Sequence, residues 1–79
     1  MAAADPKTAL QELTQARMAD TPTYDEAASG PPHRRTFTSR VRVGGEVVGE
    51  GIGASKKAAQ RAAAQVALSV LTAPDKPTP

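Results

Sequence analysis

The sequence predicts a small α+β domain with the order helix, strand, strand, strand, helix, in which both helices pack on one face of a three-stranded antiparallel sheet. Apolar residues recur at helical spacing near each end of the chain, whereas the middle alternates with the period of a strand. The pair Gly44-Gly45 divides the alternating stretch and predicts a tight hairpin, because glycine accepts the positive φ of such turns.

The first helix is predicted over residues 6–18. Asp5 is a suitable N-cap, and Pro6 suits the first helical position. Thr21-Pro22 ends the helix, since the residue before a proline disfavours helical backbone, and residues 23–28 are predicted to form the first strand. The apolar stripe expected to face the core consists of Ala9, Leu10, Leu13, Ala16 and Met18.

The hairpin is predicted from residues 35–43 and 46–53. Glycines 49 and 51 in the return strand have no side chain to pack, which indicates that another element lies close to its backbone. In the first of the two strands, the set expected to face the core is Phe37, Ser39, Val41 and Val43. The set expected to face water is Thr36, Thr38, Arg40 and Arg42.

The last helix is predicted to begin after the N-cap Ser55 and to end near Leu71. Its small alanines would allow close contact with the glycines of the return strand. We expect the domain to cover residues 5–72, with flexible termini at 1–4 and 73–79. The apolar stripe of this helix is Ala59, Ala62, Ala63, Val66, Ala67, Val70 and Leu71.

Size and composition narrow the class of protein. Seventy-nine residues allow one domain at most. The absence of cysteine excludes disulfides and thiolate chemistry. No apolar run reaches the roughly 18 residues of a membrane helix, and the first residues lack the layout of a secretory signal. A cytoplasmic protein that does not enter membranes is expected.

Charge is unevenly distributed along the chain although the net charge is only +2. A basic stretch of this kind, here residues 33–61, is what a polyanion-binding face needs, although an ordinary solvated surface is the alternative. The acidic residues of the first third are Asp5, Glu12, Asp20, Asp25 and Glu26. Between residues 33 and 61 the only acidic residues are Glu46 and Glu50, whereas the basic residues are Arg34, Arg35, Arg40, Arg42, Lys56, Lys57 and Arg61.

Three features are candidate contact sites. Lys56 and Lys57 oppose the helix dipole by about 0.3–1 kcal/mol, a cost that makes sense if the helix start holds phosphate. Residues 30–33, Gly-Pro-Pro-His, form a stiff loop that loses little entropy on entering a groove. The exposed face of the first helix carries Thr8, Gln11, Glu12 and Gln15. Taken singly, each feature has an ordinary explanation. The lysines could be tolerated surface residues, the loop a simple connection between strands, and the polar residues the solvent-exposed side of an amphipathic helix.

In combination these features resemble the double-stranded-RNA-binding domain. The resemblance covers residues 5–71 and rests on the Gly-Pro-Pro-His loop before a strand with Phe37, the segment Gly-Glu-Gly-Ile-Gly-Ala-Ser-Lys-Lys, and the alanine-rich ending. The opening Asp-Pro-Lys-Thr-Ala-Leu-Gln-Glu-Leu is most similar to the C-terminal domain of bacterial ribonuclease III. The resemblance implies a role in RNA processing, ribosomal RNA included.

The resemblance also implies a binding mode. The first helix and the loop would enter two successive minor grooves of an A-form duplex of about 16 base pairs, reading shape and 2′-hydroxyls, while the last helix grips phosphates across the major groove. The implied first minor-groove contacts are Thr8, Gln11, Glu12 and Gln15, and the second are Gly30, Pro31, Pro32 and His33. The implied phosphate contacts are Ser55, Lys56 and Lys57, with Arg61 as a partial addition.

Two positions depart from the family pattern. Gln60 stands where many members carry a further lysine, which predicts a weaker phosphate clamp that Arg61 compensates in part. Leu13 stands where an aromatic residue is common, which affects packing and not contact.

Catalysis by this chain is not expected, because its carboxylates are scattered and His33 has no triad partners. The domain needs no cofactor, whereas a ribonuclease III parent would use Mg²⁺ and form a homodimer; the isolated domain would be a monomer. Two other interpretations of the sequence stay open. In the first, the chain is a free-standing double-stranded-RNA-binding protein; in the second, it is a protein-interaction module of the same fold.

Overall fold

The computed structural model describes residues 5–72, so the predicted flexible termini at 1–4 and 73–79 lie outside the described residues. The strands form one antiparallel sheet in the order β1-β2-β3. This confirms the predicted α-β-β-β-α architecture. The elements are α1 (Pro6–Met18), β1 (Thr23–Ser29), β2 (Thr36–Val43), β3 (Glu46–Gly53) and α2 (Lys56–Thr72), with one turn of 3-10 helix at Pro32–Arg34.

Helix α1 begins where the sequence predicts, with the Asp5 carboxylate accepting the Lys7 backbone N–H at 3.2 Å. Its buried stripe is narrower than predicted. Ala16 and Met18 are exposed, and the fully buried residues are Leu10 and Thr14. The reason is that α1 packs along α2 and not flat on the sheet, so only an i, i+4 line is covered.

The hairpin confirms the predicted turn, with φ of 61° at Gly44 and 85° at Gly45. Ser39, Val41 and Val43 are buried as expected, and Phe37 is half-buried. The pairing of β2 with β3 shifts by one residue next to Val41 and Arg42, which places the extra residue Val48 against the core.

Helix α2 lies directly on the backbone of β3. Beyond the register shift, the residues of β3 that face the helix are all glycines. They are the predicted Gly49 and Gly51 and, in addition, Gly53. The predicted apolar stripe of α2 is wrong at two positions, because Val66 and Val70 are 42% and 57% exposed. The contact with the glycines rotates the buried face towards Ala59, Ala63, Ala64 and Ala67.

The core is small and lies between the sheet and the two helices. No helix within residues 5–72 is long and apolar enough to cross a membrane. The buried cluster comprises Leu10, Val41, Ala63, Ala64 and Ala67, and the half-buried residues Tyr24, Val48, Leu68 and Leu71 pack against it.

Candidate nucleic-acid interface

The start of α2 has the features of an anion-binding site. The Ser55 hydroxyl accepts the Ala58 backbone N–H at 3.1 Å, which makes Ser55 the N-cap predicted from the sequence. The backbone N–H groups of Lys56 and Lys57 in the first turn have no carbonyl of the helix to bond. Both lysine side chains are exposed, and neither forms an ion pair with another described residue. The two lysine ammonium groups and the two unbonded backbone N–H groups are therefore found together at the solvent-exposed start of α2.

The loop between β1 and β2 is fixed by its backbone. Gly30 has φ of 92°, and a Cβ atom at this position would lie 2.7 Å from the Arg34 carbonyl oxygen. The Arg34 N–H donates to the Pro31 carbonyl at 2.9 Å and closes the 3-10 turn that contains Pro32 and His33. The predicted loop thus contains one helical turn, and all four residues of its Gly-Pro-Pro-His segment are exposed.

The polar face of α1 points to solvent, away from the buried pair Leu10 and Thr14. It presents hydroxyl, amide and carboxylate groups at a spacing of three and four residues, so these groups lie along one side of the helix. The exposed residues are Thr8, Gln11, Glu12 and Gln15.

The N-terminal ends of the two helices are joined by polar contacts that sequence reasoning missed. The Lys7 ammonium donates to Gln60 Oε1 at 2.5 Å and lies 4.9 Å from the centre of the Tyr24 ring. Beside it, Arg61 Nε lies 3.6 Å from Asp5 Oδ1. Arg61 is therefore held next to the cap of α1, and its expected contribution to the clamp is shared with a carboxylate. Only the packing of α1 on α2 brings these residues together, and no local sequence pattern reports it.

Tyr24 has a polar group that no described residue satisfies. Its hydroxyl is shielded from water and has no hydrogen-bond partner. Burial, with a smaller effect from the nearby Asp5 carboxylate, raises the pKa of the Tyr24 phenol. The ring serves as a support for Lys7, and the hydroxyl is a cost to stability.

On the outer face of the sheet, two arginines are paired with carboxylates. Arg40 Nε lies 2.7 Å from Glu50 Oε2, and Arg42 Nε lies 3.0 Å from Asp25 Oδ2. The hydrogen bond that Arg40 donates to Glu50, together with the charge of that carboxylate, raises the pKa of the Arg40 guanidinium. The basic residues identified from the sequence therefore divide into paired and unpaired groups. Those without a carboxylate partner among residues 5–72 are Lys56 and Lys57 at the start of α2 and Arg34 and Arg35 in the loop.

The described residues 5–72 contain no group of three or more His, Cys, Asp or Glu side chains arranged to hold a metal ion.

The family model for the double-stranded RNA binding motif matches residues 6–71. This chain belongs to that family. Its function is accordingly the binding of double-stranded RNA, and the resemblance drawn from the sequence is confirmed.

The curated relatives of this chain include ribonuclease 3 enzymes of several bacteria. The chain is 44% identical to Ribonuclease 3 of Nocardia farcinica and 46% identical to that of Thermobifida fusca, each over 69 residues and 87% of this chain. It spans only 29% of the length of either relative. Among solved structures, it is 38% identical to the second dsRBD of DRB4, with a TM-score of 0.67, covering 86% of this chain and 96% of that one. Dicer from Pichia stipitis, at 26% identity, also gives a TM-score of 0.67, over 82% of this chain and 32% of that one.

Proposed function

We propose that this domain is the substrate-binding part of a ribonuclease III, a double-strand-specific endoribonuclease, and that three segments contact the duplex. The exposed face of α1 and the loop would occupy successive minor grooves, while the start of α2 bridges the major groove between them. The proposed minor-groove residues are Thr8, Gln11, Glu12 and Gln15 on α1 and Gly30, Pro31, Pro32 and His33 in the loop. The proposed phosphate contacts are Ser55, Lys56 and Lys57, with Arg61 in a secondary role.

The observation that carries this binding mode is the unneutralised start of α2. Lys56 and Lys57 have no carboxylate partner among residues 5–72, whereas Arg40 and Arg42 on the opposite face are both paired. Lys56 and Lys57 therefore keep their charge available to an anionic ligand, away from the sheet face on which Arg40 and Arg42 are paired.

The ribonuclease III parentage is supported by identities near 45% to ribonucleases 3 of which this chain spans less than a third. Catalysis and its Mg²⁺ would belong to the remainder of such a parent, since the described residues hold no metal-binding cluster. In this proposal the parent is a cytoplasmic homodimer, and the isolated domain is a monomer.

Two experiments test the proposal. The domain is titrated with a 20-base-pair RNA duplex and with DNA of the same sequence at two salt concentrations; RNA-selective, salt-dependent binding supports it, and equal affinity for DNA overturns it. For the parentage, this domain replaces the matching segment of the Thermobifida fusca ribonuclease 3. Retained cleavage of an RNA duplex supports the assignment, and cleavage no better than without the segment contradicts it.

A further inference from the structure

The junction between the two helix starts supplies a phosphate-binding group that lies outside the three segments. Gln60 follows Lys56 by four residues and Lys57 by three, so its side chain lies beside theirs on one face of α2. The ammonium of Lys7 is hydrogen-bonded to Gln60. A positive charge from α1 therefore lies on the same face of α2 as the two exposed lysines.

Two neighbours position the ammonium group of Lys7. This group has three N–H donors. It donates a hydrogen bond to the Gln60 side-chain oxygen and lies over the face of the Tyr24 ring. No acceptor among residues 5–72 takes the third donor, and no carboxylate of those residues forms an ion pair with Lys7. Asp5, two residues before Lys7, is engaged by Arg61 and by the Lys7 backbone N–H.

Gln60 is oriented by the same contact. Because its Oε1 accepts from Lys7, its Nε2 amide group is directed elsewhere and offers two donors. A phosphate oxygen accepts only, so an ammonium donor and an amide donor side by side match it.

We propose that Lys7 and Gln60 together form a further phosphate contact beside Lys56, in which α1 supplies the charge that α2 lacks at position 60. This inference rests on the proposed RNA-binding mode. The pre-ordered ammonium loses little entropy when the duplex arrives, and the contact would link α1 to the phosphate clamp.

The test compares salt-dependent binding of a 20-base-pair RNA duplex by the wild type, Lys7→Met, the exchange variant Lys7→Gln/Gln60→Lys, and the control Arg17→Met. Lys7→Met keeps an apolar chain over Tyr24; we expect a several-fold loss of affinity and a salt slope reduced by about 0.9, the value of one phosphate. The exchange variant places the positive charge on α2 instead of α1 and should recover both the RNA affinity and the salt slope. Arg17→Met removes one exposed charge from the far end of α1 and should change neither.

A Lys7→Met variant with an unchanged salt slope and a lowered melting temperature would overturn the inference, because Lys7 would then only support the fold. An exchange variant that folds but does not recover the slope would also overturn it. Failure of the wild type itself to bind the RNA duplex is a distinct outcome, and it would overturn the proposed binding mode together with this inference.

Discussion

The backbone of Gly49 lies against that of Ala63, so that a Cβ atom at position 49 would be 2.5 Å from the Ala63 carbonyl oxygen. Even in C–H···O contacts, carbon and oxygen atoms are roughly 3.3–3.6 Å apart. Helix α2 can therefore approach β3 this closely only because the strand has no side chain there. This approach sets the height of α2 above the sheet, and with it the position of Lys56 and Lys57.

Gly51→Ala should destabilise the domain strongly. The new methyl group would lie 2.6 Å from the Ala62 carbonyl carbon, and the helix would have to lift from the sheet. We expect a loss of about 3 kcal/mol in the free energy of unfolding, measured by urea denaturation. Gly45→Asn is the control, since nothing lies within 4 Å of its added carbon and asparagine tolerates positive φ. Equal urea midpoints for the two variants would refute the close-packing explanation.

The close approach shows what the sequence could and could not predict. Gly49 and Gly51 indicated an element lying near β3, and the alternation of β2 identified the buried Val41. The rotation of α2 about its axis was not predictable from apolarity, because Val66 is more apolar than Ala64 and yet is exposed. The backbone contact with the glycines decides which small residues face the strand.

Two substitutions at Ser55 separate its capping role from phosphate contact. Ser55→Ala removes the acceptor for the Ala58 N–H and should cost about 1 kcal/mol of stability. Ser55→Asp keeps a capping oxygen and favours the helix dipole, so stability should be retained. Its negative charge beside Lys56 should nevertheless weaken RNA binding several-fold. Thermal unfolding and RNA titration of both variants check this. If Ser55→Asp bound RNA with the affinity of the wild type, that result would argue against a phosphate at the start of α2.

Gly30→Ala should impair the loop more than the fold. At φ of 92° an added Cβ is strained and lies 2.7 Å from the Arg34 carbonyl oxygen, so the segment must rearrange. Since residues 30–35 are exposed, we expect a stability loss of about 1–2 kcal/mol and weaker RNA binding. Backbone NMR shifts confined to the loop, together with an RNA titration, test this. Unchanged RNA affinity would remove the loop from the interface.

Tyr24→Phe should leave the domain as stable or up to about 1 kcal/mol more stable near neutral pH, because the lost hydroxyl is buried without a partner. Burial raises the pKa of Tyr24 in the folded state, so the unfolded chain ionises first. The stability that depends on the neutral phenol is present below pH 10.0 and is lost as pH rises from there through the raised folded pKa. Urea midpoints at neutral and alkaline pH should show this extra loss in the wild type only. A parallel decline in Tyr24→Phe would contradict the assignment.

The candidate site was predictable where its residues are contiguous in sequence and not where packing assembles it. Ser55, Lys56 and Lys57 form a local pattern whose unfavourable dipole interaction predicts a phosphate ligand, and this contact stays a prediction. The contact of Lys7 with Gln60 joins residues that are 53 positions apart. Likewise, the pairing of Arg40 with Glu50 depends on strand register, so the sequence could not show that its charge is neutralised on the far face.

The most direct test compares two double variants that remove the same charge from opposite faces, Lys56→Ala/Lys57→Ala and Arg40→Gln/Arg42→Gln. Affinity for a 20-base-pair RNA duplex is measured across a range of salt concentrations, with unfolding curves to confirm the fold. We expect the lysine variant to lose most of its affinity and to show a salt slope lower by about 2, since each phosphate contact contributes about 0.9. The arginine variant should bind like the wild type, because the exposed ion pairs of Arg40 and Arg42 contribute little to stability and would face away from the duplex in the proposed binding mode. Equal losses in both variants would mean that net charge alone drives binding, and would contradict the proposed interface.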